Sequence, residues 1–211
     1  MKDMPLLILD ALFEERIVAE RRALGLDRFD EVWDGVYVIA PIADSEHQFV
    51  TGELAVTLGT ICREPFGADV FAGCNVSDRK IDWTSNYRWP DVAVFFAANP
   101  AQDMETHWFG GPDFAVEVSS DKDRTWDKLD FYAKVKTREL LIIDRNPWKL
   151  SLLRLNGEQM ELVATSSLED SAAVASAVIP ISLRLLARTG LKPTIQVQHS
   201  DGRSWVVDPI L

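Results

Sequence analysis

The chain has 211 residues, 47% of them apolar, and 33 acidic against 22 basic side chains give it a formal charge of −11. This is enough apolar material for one sizeable packed domain rather than a disordered chain, and the acidity excludes a nonspecific nucleic-acid coat, whose affinity comes from Lys and Arg displacing counterions. Cys62 and Cys74 form no CxxC pair and only His47, His107 and His199 are present, which excludes a disulfide framework or a multi-histidine metal centre; no apolar run approaches the length of a membrane span, so a soluble, unexported, cytoplasmic protein is expected.

The opening stretch MKDMPLLILDALFEE is briefly apolar, but Asp10 interrupts it and no small-residue cleavage site follows. Over residues 10–24, Leu12, Ile17, Ala19 and Leu24 recur among charges, the pattern of a surface helix. EVWDGVYVIAP reads as two short strands turning at Asp34-Gly35, a favoured hairpin dipeptide. In SEHQFVTGELAVTLGTICRE the apolar positions fall at helical spacing, with Asp44 or Ser45 as cap and Gly67 just past the end.

ADVFAGCNVSD predicts a strand, followed by a polar loop through Tyr87. PDVAVFF is a second strand, NPAQDMETHWFGGP an irregular segment, and DFAVEVSS a third strand. DRTWDKLDFYAKVK predicts a helix with the stripe Trp126, Leu129, Tyr132 and Ala133. ELLIIDR is a continuous apolar run, as in a strand covered on both faces, and a strand–helix–strand unit with short links makes its two strands parallel or nearly neighbouring. KLSLLRLNGEQMELVA is a hairpin turning at Asn156-Gly157; SAAVASAVIPISLRLLARTG suggests a strand edge or a short helix ending at Gly190; TIQVQHSDGRSWVVDP is a last hairpin with Asp201-Gly202 at its tip. The expected fold class is α/β, a mixed β-sheet flanked by helices. A helical segment spans 1–29, the core 30–190, and a β-hairpin appendage 191–211.

Two carboxylates sit in strands that otherwise look made for burial. Asp91 opens PDVAVFF just after Pro90, and in DFAVEVSS strand alternation puts Ala115, Glu117 and Ser119 on one side. An isolated carboxylate there costs several kcal/mol unless a metal ion, a lysine or water pairs with it. If the strands are neighbours, Asp91 and Glu117 converge at one sheet edge, a pair of oxygen ligands suited to Mg2+ or Mn2+. Lys128 precedes Tyr132 by one helical turn and shares its face, where an ammonium could offset charge developing at phosphorus. The chemistry this suggests is metal-assisted phosphodiester hydrolysis.

PDVAVF, GGPDFAVEVSS, DKLDFYAK and RELLIIDR, with WDGVYVIAP and the helix EHQFVTGEL, together resemble the Uma-two endonuclease family of the PD-(D/E)XK superfamily over roughly residues 30–155. The resemblance implies a restriction-endonuclease-like core with Asp91 and Glu117 as acidic metal ligands. The lysine usual two residues after the glutamate would be replaced by Lys128, because position 119 is serine; Arg124 stands where relatives tend to carry an aspartate. Glu53 on the first core helix is an implied third acid, and a dimer is implied because cutting both strands needs two sites. His47 and Tyr132 are candidate substrate contacts, although a cap and a core tyrosine are the commoner roles for such residues. Lys134, Lys136 and Arg138 could touch phosphate or simply complement the helix dipole; Trp108 and Trp126 could stack on bases or serve as packing anchors.

The expected function is therefore divalent-metal-dependent hydrolysis of DNA phosphodiesters. The alternatives are a catalytically inactive nuclease-fold protein that binds or regulates, and a hydrolase of a small phosphorylated compound, which would suit an acidic chain.

Overall fold

The computed structural model describes residues 11–40, 43–119 and 124–209; the N-terminal segment before residue 11 lies outside them. The surface helix α1 (Ala11–Ala23) carries no buried side chain among those described and is tied down near its end. There Arg21 grips Asp30 at 2.6 and 2.8 Å, and the Tyr37 hydroxyl donates to the same carboxylate at 2.5 Å. Strands β1 (Glu31–Trp33) and β2 (Val36–Val38) form the expected hairpin. At its turn Asp34 and Gly35 both take positive φ, which suits Asp and Gly in a tight turn.

Helix α2 (Ser45–Phe66) starts where Asp44 accepts the backbone N–H of His47 at 2.8 Å, and it ends at Gly67 with φ 56°. Of the two expected caps, Asp44 is the one used. After it the predicted single strand ADVFAGCNVSD divides into β3 (Asp69–Phe71) and β4 (Val76–Ser77), which belong to different sheets. The cause is Gly73, at φ 85°, against which the Trp89 indole packs so closely that a Cβ would lie 2.2 Å from its Nε1.

The remaining strands are β5 (Tyr87–Arg88), β6 (Val92–Phe95), β7 (Gln102–Asp103), β8 (Trp108–Phe109) and β9 (Phe114–Ser119). Of the helix expected over 123–136, the described residues open as a 3-10 turn, Thr125–Lys128, and only Leu129–Lys134 is α-helical (α3). There follow β10 (Glu139–Arg145), β11 (Trp148–Asn156), β12 (Gln159–Ser167), β13 (Val174–Ala175), β14 (Ile181–Leu186), β15 (Thr194–His199) and β16 (Ser204–Val207). The segment between 173 and 190 is thus strand rather than helix.

Among the described residues the central sheet runs β12-β11-β10-β9-β6-β3. The crossover from β9 through α3 makes β9 and β10 parallel, as the strand–helix–strand pattern predicts, whereas β6 lies antiparallel to β9. All six residues of β9 are buried, because both faces of the sheet are covered. On one face Val92, Val116, Leu141 and Ile143 pack with Val50, Leu54 and Leu58 of α2 and with β14–β16. On the other, Ala115, Leu140 and Ile142 meet Tyr132 and Ala133 of α3, and Ala93 and Phe95 meet Phe131 and Val76. Each large apolar side chain so enclosed contributes about 1.5–3 kcal/mol.

A second sheet, β2-β1-β5-β4-β8-β7, stands beside the α3 face, and a third, β13-β14-β15-β16, joins the α2 face. The C-terminal hairpin thus pairs into a sheet with strands from 174 onward and packs into the main core, where Ile195, Val197 and Val207 are buried.

Candidate active site

Strands β6 and β9 pair with Val92 opposite Val116 and Ala93 opposite Ala115. One further step along that ladder sets Asp91 across from Glu117. Proline precedes Asp91 where the strand begins, so its missing N–H costs no ladder bond.

Glu117 is only 3% exposed, and its partners come from the following helix. Lys128 Nζ lies 3.0 Å from each of its oxygens, and the Tyr132 hydroxyl donates to Oε1. Lys128 closes the 3-10 turn and Tyr132 follows one helical turn later, so both side chains address the same carboxylate. Burial pushes Glu117 up to about 8; the Lys128 ammonium pulls it down, the neighbouring charges of Asp91 and Glu31 push it up further, and the Tyr132 hydrogen bond opposes them. Tyr132 itself is raised well above an ordinary phenol, first by burial and then by the Glu117 charge. A lysine, rather than water, therefore answers the burial of the strand glutamate.

Asp91 sits at the more open end of the pair, its side chain 17% exposed. Its Oδ2 accepts the Val118 backbone N–H at 2.7 Å, which ties it to β9, and its Oδ1 meets His47 Nε2 at 2.7 Å. His47 lies in the first turn of α2, which is itself clamped. Arg145 bonds Asp44 at 2.8 Å and Glu46 at 3.0 Å and donates from Nε to the Ser119 carbonyl at 3.3 Å. The end of β9 and the start of α2 are thereby fixed to each other, and His47 is held against Asp91.

The residue that sequence reasoning missed is Glu31. It heads β1 in the second sheet, is 5% exposed, and accepts Lys128 Nζ at 2.9 Å. Its Oε1 also accepts the Trp89 backbone N–H at 2.8 Å, and its Oε2 the Trp33 indole N–H at 2.6 Å. The signal was present: in EVW, Glu31 and Trp33 share a strand face, and a glutamate on the same face as a tryptophan needs a partner. The sequence does not reveal that this partner is a lysine 97 positions away.

Not every candidate joins the cluster. Glu53 is exposed on α2, roughly 120° around the helix from His47 at 3.6 residues per turn. Lys134 pairs with Asp78 at 2.6 Å, Arg138 with Asp113 at 2.9 Å, and Lys136 reaches the Gly157 carbonyl. Trp108 stacks on Phe95, centroids 3.9 Å apart, and acts as packing. Trp126 is 40% exposed, its indole N–H 3.4 Å from Asp144. Arg124 lies over the Trp33 ring, 4.5 Å from its centroid, and bonds Asp127 at 2.8 Å.

The donor set of the pair is hard oxygen. Each carboxylate has about four acceptor positions, and the bonds to His47, Val118, Lys128 and Tyr132 do not exhaust them, so Asp91 and Glu117 are the residues that would hold a divalent cation. Among the described residues no group of three or more His, Cys, Asp or Glu is placed to hold a metal. Such a two-carboxylate site suits Mg2+ or Mn2+, which keep several waters and borrow phosphate oxygens. No helix among the described residues is long and apolar enough to cross a membrane.

The family model described as "Uma2: Putative restriction endonuclease" matches residues 25–187. A crystal structure described as "a putative nuclease belonging to DUF820" from Anabaena variabilis ATCC 29413 superposes with a TM-score of 0.52 and 18% sequence identity, covering 70% of this chain and 80% of that one. At that identity the likeness speaks for the fold, which is restriction-endonuclease-like. No curated protein matches the chain significantly.

Proposed function

The chain belongs to the Uma2 family, whose model is described as a "Putative restriction endonuclease", and on that premise we propose that it is a divalent-metal-dependent endonuclease that hydrolyses phosphodiester bonds in DNA. The observation that carries the proposal is the register-opposed pair Asp91 and Glu117 with Lys128 Nζ 3.0 Å from the buried member. Asp91 and Glu117 would hold Mg2+ or Mn2+; when bound, the ion supplies a Lewis acid that lowers the pKa of water and takes up phosphate charge. A cation there also reverses the local sign of an acidic site, which reconciles a chain of charge −11 with a polyanionic substrate.

The protein's own residues contribute position and charge. His47 and the Val118 N–H fix the two oxygens of Asp91, so that carboxylate meets a ligand in one orientation. Lys128 places a cation beside the pair, where it offsets negative charge building on a phosphoryl group in a site shielded from water. Tyr132 keeps Glu117 turned toward the lysine and, fully buried, closes the floor of the site. Because cleaving both strands of a duplex requires two such sites, the working form is a homodimer, which sedimentation velocity would detect.

Plasmid nicking with Mg2+ or Mn2+ tests the proposal. Asp91→Asn and Glu117→Gln should each lose activity by about a hundredfold or more, as expected when a group acting on transition-state charge is removed. Undiminished nicking by Glu117→Gln would sink it. One observation favours a second reading, a catalytically inactive nuclease-fold protein that binds or regulates. Among the described residues, Glu31, Lys128, Glu117 and Tyr132 already bond one another in a buried network. On that reading, calorimetric titration with millimolar Mn2+ gives no heat.

A further inference from the structure

Among the described residues, carboxylates on two different sheets hold the Lys128 ammonium. Glu117, on the central sheet, takes it at 3.0 Å through both oxygens; Glu31, on the second sheet, takes it at 2.9 Å through Oε1. The two carboxylates differ in what else they must do. Glu117 belongs to the candidate metal pair, whereas every contact of Glu31 described above is made to a fixed donor: the Trp89 N–H, the Trp33 indole and Lys128 itself. Trp33 is immobilised in turn, with the Arg88 guanidinium 4.5 Å from its ring centroid and Arg124 at the same distance.

A lysine anchored only by Glu117 would lose its main partner whenever that carboxylate turned to a cation, and its charge would be repelled by the incoming ion. We propose that Glu31 is the positioning residue for Lys128: it retains the ammonium in the pocket independently of Glu117, leaving Glu117 free to serve a divalent cation. The functional meaning of this role rests on the metal-dependent reading above; the anchoring itself does not.

Substitution by glutamine is informative at position 31. Glu31 accepts on both oxygens, from Lys128 and Trp89 on one and from Trp33 on the other. An amide offers one acceptor oxygen and one donor nitrogen, so in Glu31→Gln a donor must confront either the indole N–H or the ammonium. At position 117 the same change leaves the Glu31 anchor intact.

The test is the acylation rate of Lys128 in the metal-free, full-length protein, followed by peptide mass spectrometry after timed exposure to an amine-reactive acetyl ester. Glu31→Gln should accelerate modification of Lys128 by about tenfold or more, while Glu117→Gln should change it by less than about threefold, the difference between losing and keeping the charged anchor of a buried lysine. Wild-type acylation in Glu31→Gln, or equal exposure in Glu117→Gln, overturns the assignment. If Glu31→Gln does not fold by circular dichroism, Trp33→Phe decides: it keeps a six-membered aromatic ring and removes the five-membered ring with its N–H donor, and it should raise acylation measurably, whereas no rise overturns the proposal.

In nicking assays with Mn2+, Glu31→Gln should lower kcat while leaving KM and calorimetric Mn2+ affinity unchanged; loss of Mn2+ affinity with kcat unchanged would overturn the assigned role. Wild-type protein that nicks nothing would refute the nuclease reading, while the acylation rates would still judge the anchor.

Discussion

Asp91 and Glu117 stand opposite each other at the end of the β6–β9 ladder, one step beyond the Val92–Val116 pair. Their surroundings differ sharply. Glu117 is sealed under α3 and served by Lys128 and Tyr132, whereas Asp91 lies at the mouth and is held by His47 and a backbone N–H. This asymmetry sets what each substitution should do.

The first expectation concerns pH. Glu117 is pushed up to about 8 in the fold from an ordinary value of 4.5 in the unfolded chain. The folded state therefore binds the extra proton between those values, and the stability this group contributes is complete below the unfolded pKa and lost as pH rises through about 8. Urea unfolding of metal-free protein should show the wild type losing ground to Glu117→Gln between about pH 5 and about pH 8.5, by on the order of a few kcal/mol. A pH-independent difference would contradict the burial argument. Because a cation needs the carboxylate ionised, Mn2+ affinity should rise over the same window.

Lys128→Met should be the most destabilising change in the site. It leaves Glu31 and Glu117, both nearly fully buried, without their shared cation. Breaking a buried ion pair by removing one partner costs about 3–5 kcal/mol. Thermal unfolding of Lys128→Met against the double variant Lys128→Met/Glu31→Gln would show partial recovery in the double variant, since one stranded carboxylate has been neutralised.

His47→Ala should leave the fold nearly intact, because the Val118 N–H still holds Asp91 and Asp44 still caps α2 through a backbone N–H. What it removes is the contact that orients the second oxygen of Asp91. Loss of a group that orients a metal ligand typically weakens binding by about 10–100-fold, and Mn2+ calorimetry should show a decrease in that range with an unfolding midpoint close to wild type.

Gly73→Ala tests the coupling of backbone to site. A Cβ there would sit 2.2 Å from the Trp89 indole nitrogen at a φ of 85°, and the backbone N–H of the same residue is one of the donors holding Glu31. The substitution should destabilise the protein by about 1–3 kcal/mol through strain and displacement, and it should also increase Lys128 acylation, although position 73 touches neither residue in that ion pair.

Much of this was legible in the chain itself, for local reasons. Alternation in DFAVEVSS put a glutamate in a buried strand, the strand–helix–strand spacing made β9 and β10 parallel, and Asp-Gly and Asn-Gly marked the turns. Periods of 2 and 3.6 and glycine's access to positive φ depend only on near neighbours. The helix carrying Lys128 and Tyr132 was also readable, although not its 3-10 opening, where a short turn replaces the α-helical start.

Only the tertiary structure decided which groups meet. The split at Gly73 depends on a tryptophan 16 positions later filling the space of its absent side chain. Glu53, equal to Glu31 in chemistry, ended exposed because its angle on α2 turns it from the sheet. Glu31 entered the site because β1 of a separate sheet stands beside α3, which no spacing in the sequence encodes. Burial then converted these acids from ordinary surface charges into a coupled set: removing water makes each carboxylate's protonation depend on the charges beside it, and that dependence belongs to the assembled fold.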